Sequence, residues 1–248
     1  MTPYSSLCDD FYINMRLNTE MELPTGRETI LHFFERLSKS YPQMKHFYCR
    51  ENGDFVLEED KEQNPSYRWV NIEPRRICSG QINPSDTEES LDQHKLILEL
   101  APYHLSVSPL DCEALDLLFG FDFSYHGNHD ELVCEALGLT SPLEGFLDAP
   151  GSRVIKYEPT IIFSTDDALR TQCRVGIETR TTPYQMRTGE YGGDSISVVL
   201  TMRRYGSLSS EDSFENILRQ LFEETRELVE NNLIAHVLVP LAQAISAK

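Results

Sequence analysis

Basic residues are scarce in this chain. Its 248 residues include 22 Lys and Arg against 40 Asp and Glu, a net charge of −18. Phosphate backbones are bound by neutralising their charge. The densest basic groups are only Arg75-Arg76 and Arg203-Arg204. Nucleic acid is therefore not expected as a partner, and neither is an anionic membrane surface. A long hydrophobic run is also missing. The most apolar stretch, Leu233 to Ile245, contains His236, Pro240 and Gln243, and is shorter than the roughly 20 residues a membrane span needs. The opening MTPYSSLCDDFY lacks the basic and apolar regions of a secretory signal. A cytoplasmic location is the expectation.

Catalytic and metal-binding signatures are missing too. Cys8, Cys49, Cys78, Cys112, Cys134 and Cys173 are far apart, with no Cys-x-x-Cys pair, so zinc-ribbon spacing is absent. In a reducing compartment such cysteines are expected to be small buried hydrophobes. There is no Gly-x-Ser-x-Gly elbow. Cys173-Arg174 opens no phosphatase loop, and Gly189-Glu-Tyr-Gly-Gly-Asp194 lacks the Lys-Ser/Thr of a phosphate loop. It reads as a hairpin turn.

What is present is the composition of a folded protein, 40% apolar and 25% charged, enough for one or two domains with a sizeable core. Period-two alternation over Phe11, Ile13, Met15 and Leu17 predicts a half-buried strand. A helix follows to about Ser40. Strands are expected over 45–50, 54–59, 67–75 and 77–82, with Asn52-Gly53 turning the first two into a hairpin. A second helix runs from about Thr87 to Leu100. The order then recurs: a strand over 112–123, a helix from His129 to Leu137, strands over 154–164, 172–181 and 195–204, and a long helix from Ser213 to Ala244. Pro240 is expected to kink or end that helix.

Three local matches fall at nearly one offset. Leu7-Cys-Asp-Asp-Phe11 precedes Asp111-Cys-Glu-Ala-Leu115 by 104 residues, Thr25-x-x-Glu28 precedes Asn128-x-x-Glu131 by 103, and Val70-Asn-Ile-Glu-Pro-Arg75 precedes Val175-Gly-Ile-Glu-Thr-Arg180 by 105. The expected fold class is therefore α+β. An internal duplication of a strand-helix-meander-helix unit is expected, over residues 1–102 and 103–248, packed as one unit. Antiparallel sheet covered by helices and a long C-terminal helix complete it. The alternative is two unrelated α+β halves, or one α+β domain with a coincidental pattern. In topology alone the order resembles the duplicated saddle-like or helix-grip class. The four signatures Thr25-x-x-Glu28, Asp86-x-x-Glu89, Asn128-x-x-Glu131 and Asp212-x-x-Glu215 predict capped helix starts.

Few residues stand out as site candidates. His126-Gly-Asn-His-Asp130, with Asp92-Gln-His94, resembles blocks of the calcineurin-like metallophosphoesterases. Their Gly-Asp-x-x-Asp and Gly-His-x-His ligands are absent, so a two-metal site is excluded. His126, His129 and Cys134 remain weak metal candidates, and no metal or other cofactor is expected. In the strands, Glu73 with Arg75 and Glu178 with Arg180 are placed opposite Val70/Ile72 and Val175/Ile177. They form either a polar binding floor or exposed ion pairs. Trp69, the only tryptophan, shares the face of Glu73; it is expected in the core, with a contact anchor as the alternative. The last helix has an acidic face that includes Glu211, Asp212, Glu215, Glu223, Glu224, Glu227 and Glu230. The chain reads as a non-catalytic binding or adaptor protein with a protein partner, a small acidic chaperone-like role included. The alternative is a small-molecule binder or hydrolase with a site between the halves.

Overall fold

The computed structural model describes residues 4–62, 64–139, 141–209 and 212–248. Gln63 of the first polar loop and Glu211 of the acidic face lie outside them. The protein is α+β. It has one antiparallel sheet of nine strands in the order β2-β3-β4-β5-β1-β6-β9-β8-β7. The first half supplies β1 (Asp10–Thr19), α1 (Arg27–Ser40), β2 (His46–Cys49), β3 (Phe55–Glu58), β4 (Tyr67–Glu73), β5 (Arg76–Ile82) and α2 (Thr87–His104). The second supplies β6 (Cys112–Ser124), α3 (His129–Leu137), a turn of helix α4 (Ser141–Glu144), β7 (Thr160–Ser164), β8 (Thr171–Glu178), α5 (Pro183–Thr188) and β9 (Ser195–Tyr205). A continuous 33-residue helix closes the chain. It runs as α6 (Phe214–Leu228), a π-helical stretch over Val229–Leu238, and α7 (Val239–Ser246).

β1 and β6 meet at the middle of the sheet. Alternation sends Phe11, Ile13, Met15 and Leu17 of β1, and Leu115, Leu117, Phe119 and Phe121 of β6, to one face, where all are fully buried. The helices lie on that face: α2 on β5 and β1, α6 on β6 and β9. In each half the last strand flanks the central one and the meander steps outward from it. A shared connectivity is what duplication leaves, and also what two independent units of this layer type have in common.

Several local expectations change. The N-cap of α1 is Gly26 with no side-chain cap, so Thr25 does not cap it; α6 is capped by Ser213 through Asn216 N–H rather than by Asp212. Asp86 and Asn128 do cap their helices. Pro240 does not end the last helix. The wider π turns lie just before it and α7 continues through it, as helices do when a π segment absorbs a backbone irregularity. The strand expected over 154–164 starts only at Thr160, because the Tyr157 amide donates to Asp130 Oδ1 of α3 at 2.7 Å instead of to a sheet neighbour. Gly189–Asp194 is not a hairpin turn; it leads from α5 into β9. Cys78, Cys112 and Cys173 are buried, but Cys49 is exposed, and all six cysteines are free.

The seam between α2 and the sheet is polar. Ser90 Oγ donates to Gln81 Oε1 at 2.8 Å, Gln93 Nε2 donates to the carbonyls of Trp69 and Gly80 at 3.3 Å each, and Ser79 Oγ lies 2.7 Å from His94 Nδ1. Burial holds the His94 imidazole neutral, its pKa lowered to about 3 from an ordinary 6.5. As pH falls below 6.5 the unfolded chain takes up a proton at His94 that the folded chain refuses. Stability is therefore lost with acidification across that window, at about 1.4 kcal/mol per pH unit. Urea unfolding of the wild type is expected to lose about 2 kcal/mol or more between roughly pH 6.5 and 5, and His94→Gln to lose distinctly less, the remainder including His129, whose pKa burial also lowers. Equal slopes in the two proteins would remove His94 as the source.

Candidate functional site

The opposite face of the sheet carries no helix among the described residues. Trp69, Asn71 and Glu73 of β4, Cys78 and Gly80 of β5, and Asn14, Arg16 and Asn18 of β1 point to it, the reverse of the buried parity. Two glycines let aromatic rings lie flat there. A Cβ on Gly80 would stand 2.6 Å from the Trp69 ring and 2.1 Å from Asn14 Oδ1, and one on Gly120 would stand 2.1 Å from the Tyr12 ring. Trp69 is thus not a core filler. It sits on the uncovered face, half-buried, against Gly80.

A polar belt crosses five strands at one end of this face. Arg203 holds the buried Asp116 with two bonds of 2.6 Å. Asn18 Nδ2 donates to Asp116 Oδ2 at 3.5 Å, and Asn18 Oδ1 accepts from Arg76 Nε at 2.8 Å. Arg76 reaches Glu73 Oε2 at 3.3 Å, while Glu73 Oε1 accepts from Asn71 Nδ2 at 3.0 Å. The Cys78 thiol donates to the same oxygen at 3.6 Å and is pushed up to about 12, by burial first. Beside the belt lies an open cavity of about 350 Å³, lined by residues that include Arg16, Arg50, Glu58, Lys61, Trp69, Asn71, Glu73 and Arg76.

The sequence-derived candidates separate. Trp69 and Glu73 line the cavity. Arg75 does not share their face, because it is exposed at the tip of the β4–β5 turn, and Arg76 makes the ion pair assigned to it. Glu178 and Arg180 lie at the opposite end of the sheet, 4.0 Å apart. Arg180 donates to the Ser195 carbonyl and, at 3.0 Å, to Ser197 Oγ. There Asp122 is raised, chiefly by burial, with Ser197 and Arg180 opposing.

The strand register relates Glu73 to Glu178. Asn14 faces Leu118 across the central pair. Outward on one side Asn14 pairs with Gly80 and Gly80 with Trp69; on the other Leu118 pairs with Thr201 and Thr201 with Arg174. Trp69 and Arg174 hold corresponding places, and so do Glu73 and Glu178 four residues on. The offset between Asn14 and Leu118 is the 104 residues already found at Leu7 and Asp111.

His126, His129 and Cys134 do not gather into a metal site. No group of three His, Cys, Asp or Glu able to hold a metal occurs among the described residues. His129 Nε2 lies 3.0 Å from the Tyr125 carbonyl, and its Nδ1 accepts from the Arg180 amide at 3.4 Å. Asp130 is fully buried and accepts from Thr179 Oγ1 and the Tyr157 amide, both at 2.7 Å. It is a clasp between α3, β8 and the segment before β7.

A second surface is apolar. β7 is an edge strand, and its Ile161, Ile162 and Phe163 are 59%, 61% and 37% exposed. Ile161 and Phe163 flank a groove of about 330 Å³ whose other walls include Val175, Leu228, Leu233 and Val237.

No protein-family model matches this chain, and no curated protein matches it. Among solved structures it is similar to the crystal structure of the Trypanosoma brucei AdoMetDC-delta26 monomer, at 11% identity and a TM-score of 0.30, over 80% of this chain and 66% of that one. The chain thus spans just under two thirds of that protein's length, and a likeness this slight carries no functional argument.

The Gly80 contact gives a direct test of the site's construction. Gly80→Ala is expected to lift Trp69 off the sheet, shifting its emission to the red and costing about 1–3 kcal/mol of stability as overpacking does. An unchanged spectrum and an unchanged urea midpoint would rule out the close ring–glycine contact.

Proposed function

We propose that the protein is a non-catalytic binding module that takes a protein partner along the β7 edge. The observation that carries this is the edge strand itself. Among the described residues it leaves one row of backbone groups without a strand neighbour, and it exposes three large apolar side chains beside an apolar groove. Exposed apolar edges invite pairing with another chain, and strand addition uses backbone bonds for affinity and pockets for side-chain choice. The helix bordering the groove brings Glu224 to the end of β7, where its Oε2 accepts from Thr165 Oγ1 at 3.3 Å. The fitting partner is an extended apolar segment with basic flanks, steered by the net charge of −18.

Two features weigh against catalysis by these side chains. The Ser79–His94 pair has a nucleophile–base distance, but both residues are fully buried. The Cys78, Cys112 and Cys173 thiols are each pushed up to about 12 by burial, far from the thiolate a nucleophile needs. The matched connectivity and register of the halves support descent from one duplicated unit. A second reading, a small-molecule binder, is favoured by the cavity beside Trp69.

Affinity capture of the tagged protein from its own cells, at moderate salt, tests the partner reading. A stoichiometric protein is expected with the wild type. It is expected to be lost as salt rises, and weakened more than about tenfold by Ile161→Asp or Ile162→Asp, as at central interface contacts. Both positions are exposed, so the melting temperature is expected to hold. Retention by both edge variants, or no stoichiometric protein at all, would sink the reading.

A further inference from the structure

The geometry points to the cavity over β1 and β3–β5 as a binding site for a small organic anion, a carboxylate or phosphate attached to a planar ring. This site is separate from the β7 edge. It is selected by charges left over once the local pairs are counted. Lys61 pairs with Glu58 at 2.8 Å, and Arg76 pairs with Glu73 at 3.3 Å. By register Arg16 lies between Cys78 and Asp116, but both Asp116 oxygens are taken by Arg203. Arg16 and Arg50 line the cavity, and neither has a side-chain hydrogen bond or ion pair among the described residues. The cavity lining thus holds Arg16, Arg50, Lys61 and Arg76 against Glu58 and Glu73, a local positive excess in a protein of net charge −18. Guanidinium forks match carboxylate and phosphate oxygens in shape as well as charge.

Two further features define the rest of the ligand. Trp69 lies flat against Gly80 in the same cavity, leaving an indole face for a ring to stack on. Asn71 is only 4% exposed, and its Oδ1 accepts no hydrogen bond although its Nδ2 is engaged with Glu73. A buried acceptor without a donor is costly, and a ligand N–H or O–H satisfies it. The volume of about 350 Å³ is at the low end for small-molecule sites, which run from about 300 to 1,000 Å³. It suits a single ring with one anionic group rather than a polymer.

Trp69 is the sole tryptophan, so emission excited selectively at tryptophan, clear of tyrosine absorption, reports this cavity alone. The full-length protein is titrated with phenyl phosphate and with phenylacetate, and separately with inorganic phosphate and acetate. A saturable change in emission is expected with at least one ring-bearing anion, and binding at least about tenfold weaker with its ringless counterpart. Arg16→Gln and Arg50→Gln are each expected to weaken binding by about tenfold or more, while Arg219→Gln on the exposed side of α6 leaves it unchanged. Arg50 sits in the β2–β3 hairpin, so its variant tests the site even where a change at Arg16 disturbs the sheet. No saturable change with either ring-bearing anion into the millimolar range overturns the proposal. So does wild-type affinity in both arginine variants, or equal affinity for ringless anions.

Discussion

The pairing of β1 with β6 holds the molecule together. Among the described residues it is the only strand contact between the halves, because every other strand there pairs within its own half. Its helix-side face brings Phe11 against Phe119 and Phe121, with ring centroids 5.6 and 5.1 Å apart, and carries the contact on to Phe222 of α6 at 5.8 Å. Each fully buried side chain of this kind is worth about 1.5–3 kcal/mol. A one-residue slip would turn the whole set outward and bury Asn14, Arg16 and Asp116 in its place. The register is therefore held by the cost of every alternative.

That same parity creates the two faces of the sheet. Helices cover one face and leave the other to carry its own polar groups. Asp116 is the sharpest case: nearly fully buried with no helix above it among the described residues, it is viable because Arg203 and Asn18 bond to its oxygens. The belt then runs from partner to partner until Glu73. Arg16, next to Asp116 in register, is excluded from it because Arg203 already holds the carboxylate. Its free charge is a consequence of the neighbouring pair being complete.

Much of this order is legible in the amino-acid sequence, and the exceptions have physical causes. Alternation in 11–17 located β1 and its buried face, and Asn128 and Asp86 located two helix starts. Parity also put Trp69, Asn71 and Glu73 on one face. It did not reveal that helices leave this face bare, and that is why a lone tryptophan was expected inside. Parity failed at Arg75 because Pro74 and Arg75 turn the chain, restarting the count at Arg76. The shortened β7 depended on Asp130, whose hold on the Tyr157 amide comes from 27 residues away. Arg16 and Arg50 were out of reach for a similar reason. Whether a cation is surplus depends on who its neighbours have already paired with, and those neighbours lie on other strands.

The two halves share a scaffold but not a surface. At corresponding register places, Glu73 meets Glu178, while Trp69 meets Arg174 and Asn71 meets Gly176. Gly80, which makes room for the indole, corresponds to Thr201. The conditions for a flat aromatic floor, a ring and a glycine opposite it, are thus met together in one half and at neither place in the other. Both halves end in an edge strand with exposed apolar side chains, Ile161, Ile162 and Phe163 on β7 and Phe47 and Tyr48 on β2, where Phe47 also packs against Phe34 of α1 at 5.7 Å. A common frame thus carries a polar aromatic cavity in one half, with no counterpart at the corresponding places of the other, and the two halves differ in surface chemistry where they agree in strand order.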